Sequence, residues 1–241
     1  MRWRNRNYLS FSVLFYYSVS EKNSDGYIPA FSCGFLTPLY DFVMRWITRE
    51  SVFKPELVRQ MEIAKEDKVL DLGCGTATFT ILIKKACPEA EVVGFDVDSR
   101  ILSIAQSKIK KTGFDIALNL GTALCLPYTD NSFNRVASSM VLHHLTRENK
   151  IRALKEVFRV LQPNGELHIA DFGKPQNIPM YFPSLIIRHL EEASDSVKGM
   201  LPEIFQLAGF QEIEEKGKYS SLFGNVSLYK MRKPEKNDLN I

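Results

Sequence analysis

Through the middle of the chain, short apolar runs alternate with longer stretches whose apolar residues recur at helical spacing. Lys68–Leu72 is a brief hydrophobic run that stops at Gly73, the pattern of a buried strand entering a tight turn. Thr78–Ala86 follows as a helix closed by Pro88, and Glu91–Val97 reads as a second strand. Ser99–Lys111 carries Ile101, Ile104, Ala105 and Ile109 on one helical face, with basic residues in its last turn, where the helix dipole favours them. Ile116–Leu120 and Asn134–Val141 read as strands three and four, and Asn149–Leu161 as an amphipathic helix. Pro163-Asn164-Gly165 then turns the chain into a fifth strand, Glu166–Ala170.

Strands separated by helices imply a parallel sheet with right-handed crossovers. The pattern changes after the fifth strand. Val197–Leu207 predicts a helix ending at Gly209, and Gln211–Lys218 and Phe223–Met231 predict strands joined by a short link. Such a link favours an antiparallel hairpin over another crossover unit. The expectation is one α/β domain over residues 27–234, preceded by an extension (1–26) and followed by a tail (235–241).

Composition changes little in this picture. A hydrophobic content of 45% and a charged content of 24% in 241 residues suit one globular domain rather than a disordered chain. The net charge of +3 is spread over local clusters such as Lys108/Lys110/Lys111, without the basic stripe of a nucleic-acid binder. Cys33, Cys74, Cys87 and Cys125 have no metal-ligand spacing, so neither a zinc site nor a disulfide scaffold is expected, and a reducing, cytoplasmic setting fits. Arg2, Arg4 and Arg6 precede an apolar stretch from Tyr8 to Val19, shorter than the ~20 residues a membrane span needs. A dispensable extension, a membrane-touching arm and a signal segment all remain readings of it.

The chemistry is concentrated in Val69–Thr80. A strand enters a turn at Gly73 and Gly75, which opens into a helix, and glycines there let the backbone turn tightly and approach a ligand. The turn alone would also suit a dinucleotide. However, Thr78 stands where the third glycine of G-x-G-x-x-G would fall, and Asp71 precedes the first glycine by two positions. A carboxylate is unhelpful beside a pyrophosphate and favourable beside an ammonium. Asp96, at the end of strand two, has the position of a ribose ligand, whereas Asp98, followed by Ser99-Arg100-Ile101, suits a helix N-cap.

Together with Gly121–Pro127, Asp130–Asn134, Val141–Leu145 and Leu154–Gly165, these motifs resemble the class I S-adenosylmethionine (SAM)-dependent methyltransferases. Within that class the chain is most similar to the ubiquinone/menaquinone biosynthesis branch. The resemblance spans roughly residues 38–231. It implies a doubly wound, Rossmann-like, seven-stranded sheet, mostly parallel with a C-terminal antiparallel hairpin, and SAM as cofactor. It further implies that Gly73 and Gly75 pass under the methionine moiety, Asp71 faces its amino group, Asp96 binds the ribose and Val97 packs on the adenine. Thr122 and Ala123 would lie at the adenine edge, Ser139 beside the methionine part, and Tyr40 would belong to an element that closes over the cofactor. Two positions depart from the family pattern: Ala77 replaces a third glycine, and Thr122 replaces an acidic residue.

Methyl transfer from a sulfonium mainly needs alignment and exclusion of water, so its catalytic residues leave a faint trace in sequence. Candidates for a base are His143, His144 and Asp171, each of which also suits a structural role. The stretch Ser138–Val141 lacks the [N/D]-P-P-[Y/F] element of many amino-group methyltransferases. The apolar, aromatic segment Ile178–Leu190 suits a wall for a hydrophobic acceptor or a patch that touches a membrane. The expected acceptor is small or lipid-like, with a quinone-type ring carbon ahead of a metabolite oxygen or nitrogen. A nicotinamide-dependent oxidoreductase and a non-catalytic SAM-fold binding or regulatory protein are the competing classes.

Overall fold

The structure, a computed structural model, describes residues 50–174, 194–221 and 224–235. Tyr40, the N-terminal extension, the Ile178–Leu190 segment and most of the tail lie outside these residues.

In chain order the described elements are α1 (Glu50–Met61), β1 (Lys68–Leu72), α2 (Thr78–Ala86), β2 (Glu91–Asp96), α3 (Ser99–Lys110) and β3 (Ala117–Leu120). They continue with β4 (Phe133–Ser139), a 3₁₀ turn (Leu142–His144), α4 (Arg147–Val160) and β5 (Leu161–Gly173). The last four are α5 (Ser194–Val197), α6 (Leu201–Leu207), β6 (Gln211–Ser221) and β7 (Gly224–Arg232). The strands form one seven-stranded sheet in the order β3-β2-β1-β4-β5-β7-β6. β1 to β5 pair in parallel, and β7 pairs antiparallel with both β5 and β6. This is the doubly wound sheet with a terminal hairpin that the sequence predicts. Strand order reverses between β1 and β4, so the crevice for a ligand opens beyond the C-terminal ends of those strands.

Alternation along the strands supplies a core on each face. Leu70, Leu72, Val93, Phe95, Val136, Leu167 and Ile169 pack against α4 and α6 through Leu154, Val157, Ile204 and Phe205. Val69, Val92, Ala137, Ala170 and Leu228 point to the other face and meet Phe53, Leu57, Met61, Phe79 and Ile83 of α1 and α2.

Several details differ from the sequence expectation. β5 runs from Leu161 to Gly173, so it takes in the Pro163–Gly165 stretch read as a turn and continues past Ala170. Helix α1 is an addition: Phe53, Leu57, Val58 and Met61 recur at helical spacing, but Pro55 inside the helix disguises the pattern. β2 stops at Asp96, leaving Val97 outside the strand. β4 stops at Ser139, because Met140 takes a positive φ of 61° that no strand continues through. The single helix expected over Val197–Leu207 is two helices, parted at Gly199, where φ is +76°.

Candidate active site

The Gly-rich turn is built on β2. The N–H groups of Gly73 and Cys74 both donate to the Phe95 carbonyl, at 2.8 and 3.0 Å. Gly73 (φ +73°) and Gly75 (φ +54°) take the left-handed conformation that favours glycine, but their surroundings are opposite. A Cβ on Gly73 would lie 2.3 Å from Val141 Cγ2, whereas a Cβ on Gly75 would meet nothing within 4 Å. Gly73 is therefore sealed from below by Val141, and Gly75 borders open space at the crevice. Ala77 also has a left-handed φ of 59°, and its methyl is buried with Ile81, Ala105 and Ile109 between α2 and α3. That packing offsets a conformational cost of about 1–2 kcal/mol, so the departure from glycine is accommodated in the fold.

Asp96 holds this turn from the tip of β2. Its Oδ2 accepts from the Gly75 N–H at 2.8 Å and its Oδ1 from the Asp98 N–H at 3.0 Å. Burial raises its pKa, and these backbone donors pull the other way. Asp98 caps α3 as expected, accepting from the N–H groups of Arg100 and Ile101. The Gly121 N–H donates to the Asp96 carbonyl at 2.9 Å, which brings the end of β3 alongside. Thr122 is exposed there, with its hydroxyl accepting from the Leu124 N–H, and Ala123 packs partly against the core. Val97 is 42% exposed and Leu120, also an exposed aliphatic, pairs with Asp96 in register.

Asp71 and Ser139 occupy the α1/α2 side of the same edge. Asp71 is buried; its Oδ2 accepts from the Thr80 hydroxyl at 2.6 Å, while its Oδ1 is buried without a partner. Burial pushes its carboxyl up to about 7, opposed by the Thr80 hydrogen bond and by the charge of Lys54, with Asp96 adding to the rise. On the neighbouring strand the Ser139 hydroxyl is likewise buried without a partner. Buried polar atoms are nearly always satisfied, so two orphans on adjacent strand ends mark a place where a ligand would complete the bonding.

Across the reversal point lie the three base candidates. Asp171 is buried on β5, with Oδ2 accepting from the Leu142 N–H at 2.8 Å and Oδ1 from the Phe172 N–H at 2.7 Å. His143 Nδ1 stands 3.0 Å from Asp171 Oδ1. Burial alone would raise the Asp171 pKa; His143 and the backbone donor outweigh it, so the carboxyl sits below its usual value. His144 tilts over His143 with ring centroids 4.0 Å apart. Desolvation first, and the neighbouring His143 second, depress its pKa to about 3. Asp171 thus holds the turn and His143 through both of its oxygens.

The fold thus places Asp71, Gly73, Gly75, Asp96, Val97, Thr122, Ala123 and Ser139 at or just beyond the C-terminal ends of the parallel strands, with His143, His144 and Asp171 on the β4–β5 side. Thr80 and Val141, which shape the site from beneath, lie within motifs legible in sequence but had no role assigned there, because their roles depend on how α2 and the β4 loop pack. The set suits SAM by its chemistry. An unsatisfied carboxylate oxygen matches an ammonium, an acidic residue at the tip of β2 matches a diol, and exposed Val97 and Leu120 offer a flat base an apolar surface. The open flank of Gly75 leaves room for a chain to pass.

A parallel sheet reversed at β1/β4, closed by an antiparallel hairpin and carrying this turn, defines the class I methyltransferase architecture. Residues 69–165 match the family model described as a methyltransferase domain. A SAM-dependent methyltransferase from Methanosarcina mazei superposes with a TM-score of 0.59 at 19% identity, over 75% of this chain and 98% of that one. The demethylmenaquinone methyltransferase of Listeria monocytogenes is 30% identical over 199 residues, which is 73% of this chain and 81% of the relative. That of Anoxybacillus flavithermus is 28% identical over 210 residues, 78% of this chain and 86% of the relative. The chain belongs to the class I SAM-dependent methyltransferases. It is a methyl-transferring enzyme with SAM as its cofactor.

Proposed function

We propose that the acceptor is a quinone-type ring, methylated at carbon in its reduced, hydroxyl-bearing form. The observation that carries this reading is the similarity, over 73% of this chain and 81% of the relative, to a demethylmenaquinone methyltransferase. Bound SAM supplies an electrophilic methyl group on a sulfonium. The net change replaces a ring C–H by C–CH₃, leaves a thioether and releases one proton.

In this reading Gly73 and Gly75 carry the methionine portion over the turn, and Asp71 accepts from its ammonium with the oxygen that now lacks a partner. Ser139 borders the same portion. Asp96 accepts from the ribose hydroxyls with lone pairs that its two backbone donors leave available, and Val97 packs on the adenine. Thr122 and Ala123 line the adenine edge, the threonine giving a weaker contact than a carboxylate would. Tyr40, on the family pattern, closes over the cofactor. Residues 27–234 form the methyltransferase domain.

A ring carbon becomes nucleophilic when its neighbouring hydroxyl ionises, so this acceptor benefits from a base. His143 is the stronger candidate. Asp171 accepts from Nδ1–H, which assigns the lone pair to Nε2 and stabilises the imidazolium formed when Nε2 takes the hydroxyl proton. His144, with its depressed pKa, is a poor base. Asn225 Oδ1 and Ser196 Oγ, buried without partners near the end of β5, are available to an acceptor oxygen.

The test begins with calorimetric titration of SAM and S-adenosylhomocysteine (SAH) into the full chain and into Asp96→Ala. Micromolar binding that the variant loses supports the cofactor site. A short-chain demethylated naphthoquinol, kept reduced, should then gain one methyl at ring carbon, read by mass spectrometry and NMR. Methylation confined to phenol oxygens or amines in a parallel screen would overturn the acceptor assignment.

A further inference from the structure

Beside Asp171, the sheet face that lies under α4 and α6 ends in polar side chains rather than apolar ones. Alternation along β7 puts Asn225 and Ser227 on the same face as Tyr229 and Met231, which belong to the core beneath those helices. In register, Ser227 pairs with Asp171 and Asn225 with Gly173. Gly173 makes room for them: a Cβ there would lie 2.0 Å from Ser227 Oγ. Both β7 side chains are fully buried, and burying a polar group costs free energy unless a partner meets it.

Helix α5 packs over this end of β5 and beside the Leu142–His144 turn. Asp195 ties it to Arg147 and Lys150 at the start of α4, at 3.5 and 3.6 Å, and Gly199, just past the helix, sits against the Lys174 side chain. Ser196, next to Asp195, is fully buried and its hydroxyl has no partner. The Asn225 Nδ2 donates to the Lys174 carbonyl at 3.0 Å, which fixes the amide and leaves its Oδ1 buried without a donor. An amide oxygen only accepts, whereas a hydroxyl both donates and accepts. A ligand hydroxyl suits this pair, donating to Asn225 Oδ1 and accepting from Ser196. A carbonyl or ether oxygen would set lone pairs against Oδ1 and leave it unsatisfied.

We propose that Asn225 and Ser196 form a subsite for the second ring hydroxyl of the acceptor, the one whose proton His143 does not take. This rests on the quinol reading above and adds which oxygen is recognised and in what state. Asp171, which holds His143, and Gly173, which pairs with Asn225, lie two residues apart on one face of β5, about 6.5 Å along the strand. An aromatic ring with a hydroxyl at each end matches that spacing. His143 removes the proton from one hydroxyl, and the subsite requires the other to keep its own, because Asn225 Oδ1 needs a donor. The enzyme thereby selects reduced, hydroxyl-bearing rings against quinones and phenol ethers, through a contact remote from the reacting carbon.

Three acceptors separate the contributions in methyl-transfer assays on the full chain. They are a short-chain demethylated naphthoquinol kept reduced, its methyl ether at the hydroxyl remote from the methylated carbon, and the analogue lacking that hydroxyl. The wild-type kcat/KM should favour the quinol over the other two by about 10- to 100-fold, the range for leaving a buried polar group unpaired. Asn225→Leu should abolish that preference and leave SAH affinity in calorimetry within about twofold, and Ser196→Ala should narrow the preference partway. Ratios between variant and wild type cancel the intrinsic reactivity of each ring. Ser196→Ala removes a single atom, so it keeps the comparison open if Asn225→Leu fails to fold. Equal wild-type kcat/KM on all three acceptors would overturn the inference and leave the two oxygens to a buried water. So would variants that slow all three acceptors alike, which would make both residues merely structural. A wild type that binds SAH yet methylates none of the three would sink the quinol reading itself and this subsite with it, an outcome distinct from the others.

Discussion

Two glycines two residues apart share a backbone conformation and differ in what surrounds them, and the difference divides stability from binding. At Gly73 an alanine would combine the left-handed penalty of about 1–2 kcal/mol with a collision against Val141, for which core overpacking adds about 1–3 kcal/mol. At Gly75 only the first penalty applies, because the added methyl enters open space. Gly73→Ala should therefore lower unfolding free energy by about 2–5 kcal/mol in urea titrations. Gly75→Ala should cost only about 1–2 kcal/mol yet weaken SAH binding, since its methyl occupies the surface a ligand crosses. Equal losses of stability in the two variants, with SAH affinity unaffected by Gly75→Ala, would contradict this assignment. From sequence both positions read alike as turn glycines; Val141, which tells them apart, comes from a loop after β4.

Elements whose ends carry a local chemical signal were legible, and those whose ends depend on distant packing were not. β1 and α2 fall where the strand run, the glycines and Pro88 put them, and α3 begins at the cap that Asp98 announces. The ends of β2 and β4 were overextended by apolar residues, Val97 and Val141, that serve the crevice rather than the sheet. α1 was hidden by Pro55. The break at Gly199 was hidden by the continuous apolar spacing from Val197 to Leu207. The two adjacent aspartates give the cleanest test at this scale. The Asp98 side chain bonds to the first turn of its helix, so Asp98→Ala should cost about 1 kcal/mol of stability and leave SAH affinity within about twofold. A large loss of affinity in that variant would show that the division of labour between cap and ligand-holding residue is wrong.

For the molecule as a whole, charged groups removed from water set a pH dependence whose parts have opposite signs. Glu166, half-buried among His168, Lys230 and Arg135, has a pKa lowered to about 2: its hydrogen bonds and the neighbouring positive charges outweigh the rise that burial causes. Its stabilising contribution is present above about pH 4 and is lost in acid as pH falls toward 2. His144 and His168 are held below their ordinary pKa, chiefly by desolvation, so the unfolded chain binds more protons and stability falls as pH drops below about 6.5. Asp71 runs the other way. Its folded pKa of about 7 exceeds the unfolded value near 4, so its stability is intact below pH 4 and is lost as pH rises to 7. The loss is at most on the order of 4 kcal/mol. In Asp71→Asn this component is absent while the histidine and Glu166 components remain, so the difference between the two proteins isolates it. The variant without ligand should gain stability relative to wild type as pH rises from 4 to 8 in parallel denaturation series. The ligand reverses the balance, because an ammonium against Asp71 favours the ionised carboxyl. SAH affinity of the wild type should rise by up to about tenfold per pH unit between pH 5 and 7 and then level off. The variant should bind weakly with no such slope. A wild-type affinity independent of pH across this range would mean that Asp71 does not meet the cofactor's charge. The burial that destabilises the unliganded fold would then have no counterpart in binding.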